Sequence, residues 1–172
     1  MIEVEIDSIR ISLVTQHRIV MLKEIDGDRQ VPIWIGPCEA DAITIELQDV
    51  KVARPVTHDL LKSIITAMGG NVSHVLVKEL NDGIFHARLY VDANGKELDI
   101  DCRPSDAIAL AVRVKVPIFI AEAVMEEVSI LPEADIQDQG EGDAPAAPEP
   151  EAADAFLDFL DTLDLGDFDE ES

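Results

Sequence analysis

The sequence predicts an α+β fold built from two β-meander-plus-helix halves with mostly antiparallel sheet, followed by a disordered acidic tail. Three observations carry this reading. Runs with strand periodicity, joined by tight-turn residues, occur twice in the same order, and each set leads into a helix opened by proline. The two helix starts share letters, Asp41-Ala42-Ile43 and Asp106-Ala107-Ile108. All 13 Lys and Arg fall in residues 1–131, which leaves residues 132–172 with 15 acids and no base.

Ile2, Val4 and Ile6 alternate with Glu3, Glu5 and Asp7, and Ile9, Ile11 and Leu13 continue one residue out of phase. A period of two that changes phase reads as one long strand with a bulge near Asp7 and Ser8. Arg18 to Ile25 and Gln30 to Ile35 flank Asp26-Gly27-Asp28, a hairpin signal. Gly36-Pro37 opens a helix to about Gln48, because proline has its φ preset for the first turn; Ala40, Ile43 and Leu47 share one face. A second helix is expected from Thr57 as N-cap. Asp59 then sits in the first turn, where the helix dipole favours an acid, Leu60, Leu61, Ile64 and Ile65 turn to the core, and Gly69-Gly70 stops the helix. Strands Asn71 to Leu80, Ile84 to Asp92 and Lys96 to Cys102 follow, joined at Asn81-Asp82-Gly83 and Asn94-Gly95. The helix from Pro104 is apolar almost all round, which predicts burial. A short strand, Pro117 to Ile120, and a helix, Ala121 to Glu127, close a domain whose apolar periodicity ends by Leu131.

The chain is 172 residues and 47% apolar, enough for one core in residues 1–131. Those residues carry a net charge of −8 and residues 132–172 carry −15. Past Pro132 the Pro, Ala, Gly and acid-rich composition self-repels and has too little apolar surface to offset ordering entropy, so a flexible linker is expected. Phe156, Leu160 and Leu163 share a helical face, and residues 155–165 form either a short amphipathic helix for a protein partner's groove or simply part of an acidic tail. No apolar run approaches the roughly 18 residues of a membrane span, and the acidic start lacks a signal peptide's basic region; a cytoplasmic protein without membrane association is expected. Cys38 and Cys102 have neither CxxC nor Cys/His spacing, which removes support for a disulfide framework or structural zinc. Walker, GxGxxG, HExxH and Ser/His/Asp patterns are missing, so nucleotide hydrolysis, zincin chemistry and acyl transfer have no support either. Without a general cationic footprint, any nucleic-acid chemistry needs a local basic site or a bridging cation.

Register arithmetic locates one such site. If Asn94-Gly95 is a two-residue type I′ loop, Ala93 faces Lys96, and stepping back pairs Val91 with Leu98, Leu89 with Ile100 and Ala87 with Cys102. Tyr90 then meets Asp99, Arg88 meets Asp101 and His86 meets Arg103, all on the other face. Asp99 and Asp101 can hold a divalent cation there and the arginines a phosphate; equally, this is a solvated sheet face with an Arg88–Asp101 ion pair. Arg103-Pro104-Ser105-Asp106 either presents a helix N-terminus to an anion or is ordinary capping and dipole compensation. His58 lies off the Leu60 and Ile64 stripe, as a general base or proton donor requires and as any exposed histidine does. Asp59, Glu39 and Asp41 are helix-start acids or further ligands.

Four segments, VPIWIGPCEADAITIEL, RPVTHDLLKSIITAMGGNV, NDGIFHARLYV and DIDCRPSDAIALAVRVKVPIFIAEAVM, stand in an order and spacing that resemble the bifunctional nuclease family, small proteins described as cleaving both DNA and RNA. The similarity spans about Ile2 to Ile130, with IGP, THDLL and RPSDAIALA its specific blocks. The resemblance implies an α+β domain, usually self-associating, with nuclease activity, and marks His58, Asp59, Arg103, Ser105 and Asp106 as motif positions for catalysis. Cys38 departs from the aromatic expected after Gly36-Pro37, and the acidic tail replaces the downstream extension of some members.

The expected function is therefore a nuclease hydrolysing phosphodiester bonds of DNA and RNA. Mg²⁺ or Mn²⁺ on Asp99, Asp101 and Asp106 would polarise the phosphate and activate water. His86, Arg88 and Arg103 would bind substrate, and His58 would relay a proton. The alternative, which the net charge favours, is a non-catalytic oligomeric binding module whose acidic tail recruits a partner. Long β edges that need covering predict a homo-oligomer, most simply a dimer.

Overall fold

Strand pairing starts with β1 (Ile2–Ile11), β2 (Arg18–Glu24) and β3 (Gln30–Ile35), an antiparallel meander that runs into α1 (Pro37–Leu47). After α2 (Thr57–Ala67), a second antiparallel meander, β4 (Gly70–Asn81), β5 (Ile84–Ala93) and β6 (Lys96–Cys102), runs into α3 (Pro104–Val114). β7 (Ile118–Ile120) and α4 (Glu122–Val128) follow. This computed structural model describes residues 1–11 and 17–131. The expected boundary at residue 132, the acidic tail and the helix at 155–165 lie outside the described residues, as does Leu13.

The seven strands form one sheet in the order β3-β2-β1-β7-β4-β5-β6. β7 is the joint: it pairs antiparallel to β1 and parallel to β4, so the two meanders meet through three residues. Every other ladder is antiparallel, as the sequence predicts. α3 packs against β4, β5, α1 and α2, and its Ile108, Leu110 and Ala111 belong to one core with Val75, Val77, Ala87 and Leu89 of the sheet; eight of its eleven residues are buried. The run of alanines in α3 lets neighbours approach this closely. No helix among the described residues is long and apolar enough to cross a membrane.

The local chemistry works as read. The β1–β2 register shifts between Ile6 and Ser8, where the apolar phase changes. Asn94 and Gly95 have φ of 57° and 79°, the pair of positive values that a type I′ turn demands, and the β5–β6 register is the one derived from it, Arg88 opposite Asp101 and Tyr90 opposite Asp99. The ladder ends at Ala87 and Cys102, so His86 and Arg103 are not a pair; Arg103 has already become the N-cap of α3. β6 is an edge strand, and Ile100 on its apolar face remains 42% exposed.

The second helix departs from expectation. Its N-cap is Val56, because the Asp59 carboxylate reaches back to accept a hydrogen bond from the Val56 backbone N–H at 2.9 Å. Its orientation is also inverted: Leu60, Leu61 and Ile64 are exposed, only Ile65 of the expected stripe packs on the core, and His58 is buried. The cause is Arg113, a buried arginine in a helix that is apolar from Ala107 to Val112. Its Nε donates to Asp59 Oδ1 at 2.8 Å, Nη1 to the Ala109 carbonyl at 2.6 Å and Nη2 to the Ala42 carbonyl at 2.9 Å. Lys62 Nζ adds a hydrogen bond to the Arg113 carbonyl at 2.8 Å. A buried guanidinium without these acceptors would carry a desolvation penalty larger than the gain from burying two leucines, so the polar edge of α2 turns inward.

Arg113→Ala removes bonds to three helices and should destabilise the domain by about 3 kcal/mol, the low end for breaking a buried pair because Asp59 is partly exposed; urea unfolding measures it. The Val56 N–H, followed by Arg113, holds the Asp59 carboxyl below its ordinary 3.8. A depressed folded value adds stability that is present above that ordinary value and lost as pH falls through the lower one. Asp59→Asn should therefore flatten the acid limb of a stability-against-pH curve measured below about pH 4.

Candidate functional site

The two strand ends of the second meander, the first turn of α2 and the first turn of α3 surround a cleft of about 630 Å³. Its charged and imidazole side chains are His58 from α2, His86 from β5, Asp101 from β6, Arg103 at the junction before α3 and Asp106 within α3. Leu61, Ile84 and Phe85 supply an apolar wall. The topology explains the convergence: β6 runs directly into α3 through Arg103-Pro104, and Arg113 fixes α2 against α3 from the far end of the helix.

Arg103 organises the polar group. Its Nε donates to Asp106 Oδ2 at 2.7 Å, and Nη2 donates to Asp106 Oδ1 at 3.0 Å and to Glu39 Oε1 at 2.8 Å. Nη1 makes no bond among the described residues. Asp106, then Glu39, push the guanidinium's pKa upward, so its charge is permanent. Glu39 reaches across from α1 over Gly36, where a Cβ would fall on the Glu39 carboxylate. Glu39 and Asp106 are equivalent positions of the two halves, each the third residue of a helix that starts at proline. The letter match that aligns Asp41 with Asp106 is thus offset by two residues from the structural match.

His58 Nε2 lies 3.5 Å from Asp106 Oδ1, and its Nδ1 is buried without a hydrogen-bond partner. That Nε2 distance is too long for a direct hydrogen bond, which leaves the nitrogen available to a water or substrate oxygen entering beside Asp106. Three carboxylates, Asp106, Glu39 and Asp101, gather around one guanidinium, a net charge of −2 from these four groups. Cys102 also lines the cleft, but burial, then Asp101 and Asp106, push its thiol up to about 11, so it is no thiolate nucleophile near neutral pH.

The remaining expected residues lie elsewhere. Both oxygens of Asp59 are bonded, to Val56 and Arg113, which makes it the group that positions the His58 turn. Ser105 is buried and faces a neighbouring depression. Arg88 Nε sits 3.7 Å from Asp99 and 3.8 Å from Asp101, on the sheet face and off the cleft wall. Asp41 lines a separate hollow with Thr44 and Gln48. Among the described residues, no three His, Cys, Asp or Glu side chains form a group able to hold a metal ion by themselves. Of the expected metal set, Asp101 and Asp106 share the cleft and Asp99 does not.

The bifunctional nuclease domain family model matches residues 20–133. The chain belongs to the bifunctional nuclease domain family. An uncharacterized protein of Mycobacterium tuberculosis is 39% identical over 166 residues, 96% of this chain and 97% of the relative. Bifunctional nuclease 1 of Oryza sativa subsp. japonica is 32% identical and Bifunctional nuclease 2 of Arabidopsis thaliana 34% identical, each over 108 residues that make up 60% of this chain. The match takes in 33% of the length of those two plant proteins. In this bifunctional nuclease domain, sequence reasoning missed the cleft's apolar wall and the role of Arg113; the signal for the latter was a lone arginine inside the alanine-rich helix.

Iodoacetamide at about pH 8 should modify the exposed Cys38 and spare Cys102 until the domain unfolds or the pH approaches 11. Peptide mass spectrometry distinguishes the two.

Proposed function

We propose that this domain hydrolyses phosphodiester bonds of DNA and RNA in the cleft between α2, α3 and the ends of β5 and β6. The observation that carries the reading is the placement of His58 Nε2 and the Arg103 guanidinium on one carboxylate, Asp106, at the mouth of a helix N-terminus. Family membership and the names of the plant relatives support it. His58 Nε2 takes the proton of the attacking water and returns it to the leaving oxygen, Asp106 holds the Arg103 guanidinium beside it, and Nη1 of Arg103 steadies charge on the phosphate. His86 lines the same cleft and contacts substrate; Arg88 lies outside it and acts on longer strands only.

Mg²⁺ or Mn²⁺ is part of this proposal. Such ions take one or two protein carboxylates and complete their shell with water and phosphate oxygens, and we assign that part to Asp101 and Asp106, which line the same cleft. Bound there, the ion would polarise the phosphate and offset the acids of the cleft.

A second reading, an oligomeric binding module, is favoured by the exposed apolar side of α2, where Leu60 is 56% and Met68 76% exposed. We place a homodimer contact on that side in either reading, with the acidic tail as a recruiter of protein partners and the cytoplasm as the location. Light scattering at micromolar concentration should give a dimer mass, and Leu60→Asp with Ile64→Asp a monomer.

Cleavage of an end-labelled single strand tests the activity. His58→Ala should lower the rate by roughly 10²- to 10⁴-fold, the usual contribution of a general acid or base. Full activity in that variant overturns the assignment, and cleavage unaffected by EDTA or by Asp101→Asn removes the cation from it.

A further inference from the structure

We propose that the depression next to the cleft, walled by Trp34, is a base-stacking subsite that makes single-stranded nucleic acid the substrate class. The inference deepens the nuclease reading and rests on it. Trp34 is the chain's sole tryptophan and stands 60% exposed on β3, between the buried Ile33 and Ile35. An isolated exposed ring would need no explanation. This one is not isolated: Ile84, 63% exposed, and Phe85 come from the start of β5 in the other half of the fold to line the same depression of about 280 Å³.

Position and charge select the occupant. The depression shares Ile84, Phe85 and Arg103 with the cleft, so a strand whose phosphate rests at Arg103 carries an adjacent base into reach of the Trp34 ring. Among the described residues, Arg103 is the one charged residue lining it. In a domain whose first 131 residues carry −8, a wall of indole, phenyl and isoleucine beside the unbonded Nη1 of Arg103 offers stacking first and one donor for a phosphate, which suits a polyanion with flat apolar faces. The weak cationic footprint leaves stacking to supply most of the affinity. A base still paired and stacked in a duplex cannot offer its face to a side chain on the sheet rim, whereas an unpaired one can. Stacking tolerates every base and ignores the sugar, which is how one site serves DNA and RNA.

The sole tryptophan is also its own reporter. With the His58→Ala full-length protein at low salt, a short single-stranded oligonucleotide should quench Trp34 emission. An abasic strand of equal length and a blunt duplex should not. Trp34→Ala should weaken single-strand binding, read by anisotropy of a labelled strand, by about ten-fold or more, and Trp34→Phe should restore most of it. The Trp34 substitutions should leave the unfolding temperature of the protein that carries them unchanged, since the ring is on the surface. Equal quenching by the abasic strand or the duplex, unchanged affinity in Trp34→Ala, or quenching that tracks protein concentration without oligonucleotide, the sign of a contact between copies, would each overturn the subsite. Quenching and binding without any cleavage by the wild type would sink the nuclease reading and leave the stacking site standing; cleavage without quenching would do the reverse.

Discussion

One guanidinium buried among three helices governs how this domain is assembled. Arg113 bonds to a carbonyl of its own helix, a carbonyl of α1 and a carboxylate of α2. Each acceptor is fixed in place by backbone structure, so the planar fork of the arginine dictates spacing as well as contact. α2 has little apolar burial of its own to hold it, and this polar attachment sets which of its sides faces inward. His58 enters the cleft for that reason.

The polar group at the cleft is a case of broken symmetry between two similar halves. Each half ends its meander at a proline-opened helix with an acid at the third position, Glu39 in one and Asp106 in the other. The halves differ at the residue before proline. It is Gly36 in the first and Arg103 in the second, and the absence of a side chain at one lets the carboxylate beside it cross to the arginine at the other. A single cation thereby takes acids from both halves.

Strand pattern, turn type and the β5–β6 register were legible from the sequence because they rest on neighbours in the chain: alternation of side chains and the two positive φ values at Asn94-Gly95. Arg103 and Asp106 were legible as a helix start. The orientation of α2 was not, since Leu60, Leu61 and Ile64 form the better apolar stripe and local reasoning buries the better stripe. What overrides it is an arginine about fifty residues away, and no local pattern announces a long-range polar partner. The meeting of β3 and β5 at the depression was hidden in the same way, because four strands separate them in the sheet and neither strand's own pattern announces the other.

The position of β7 in that order has a consequence for biosynthesis. Among the described residues, the three of β7 are the one strand that joins the meander of the first thirty-five residues to that of residues 70–102. While the ribosome is still delivering the intervening segment, β1 and β4 each present an open row of backbone donors and acceptors, and the first meander waits for more than eighty residues to emerge before its edge is sealed. Closure is a late, high-contact-order event. The acids that alternate along β1, Glu3, Glu5 and Asp7, put like charges on the waiting edge, where they discourage one nascent chain from pairing with another.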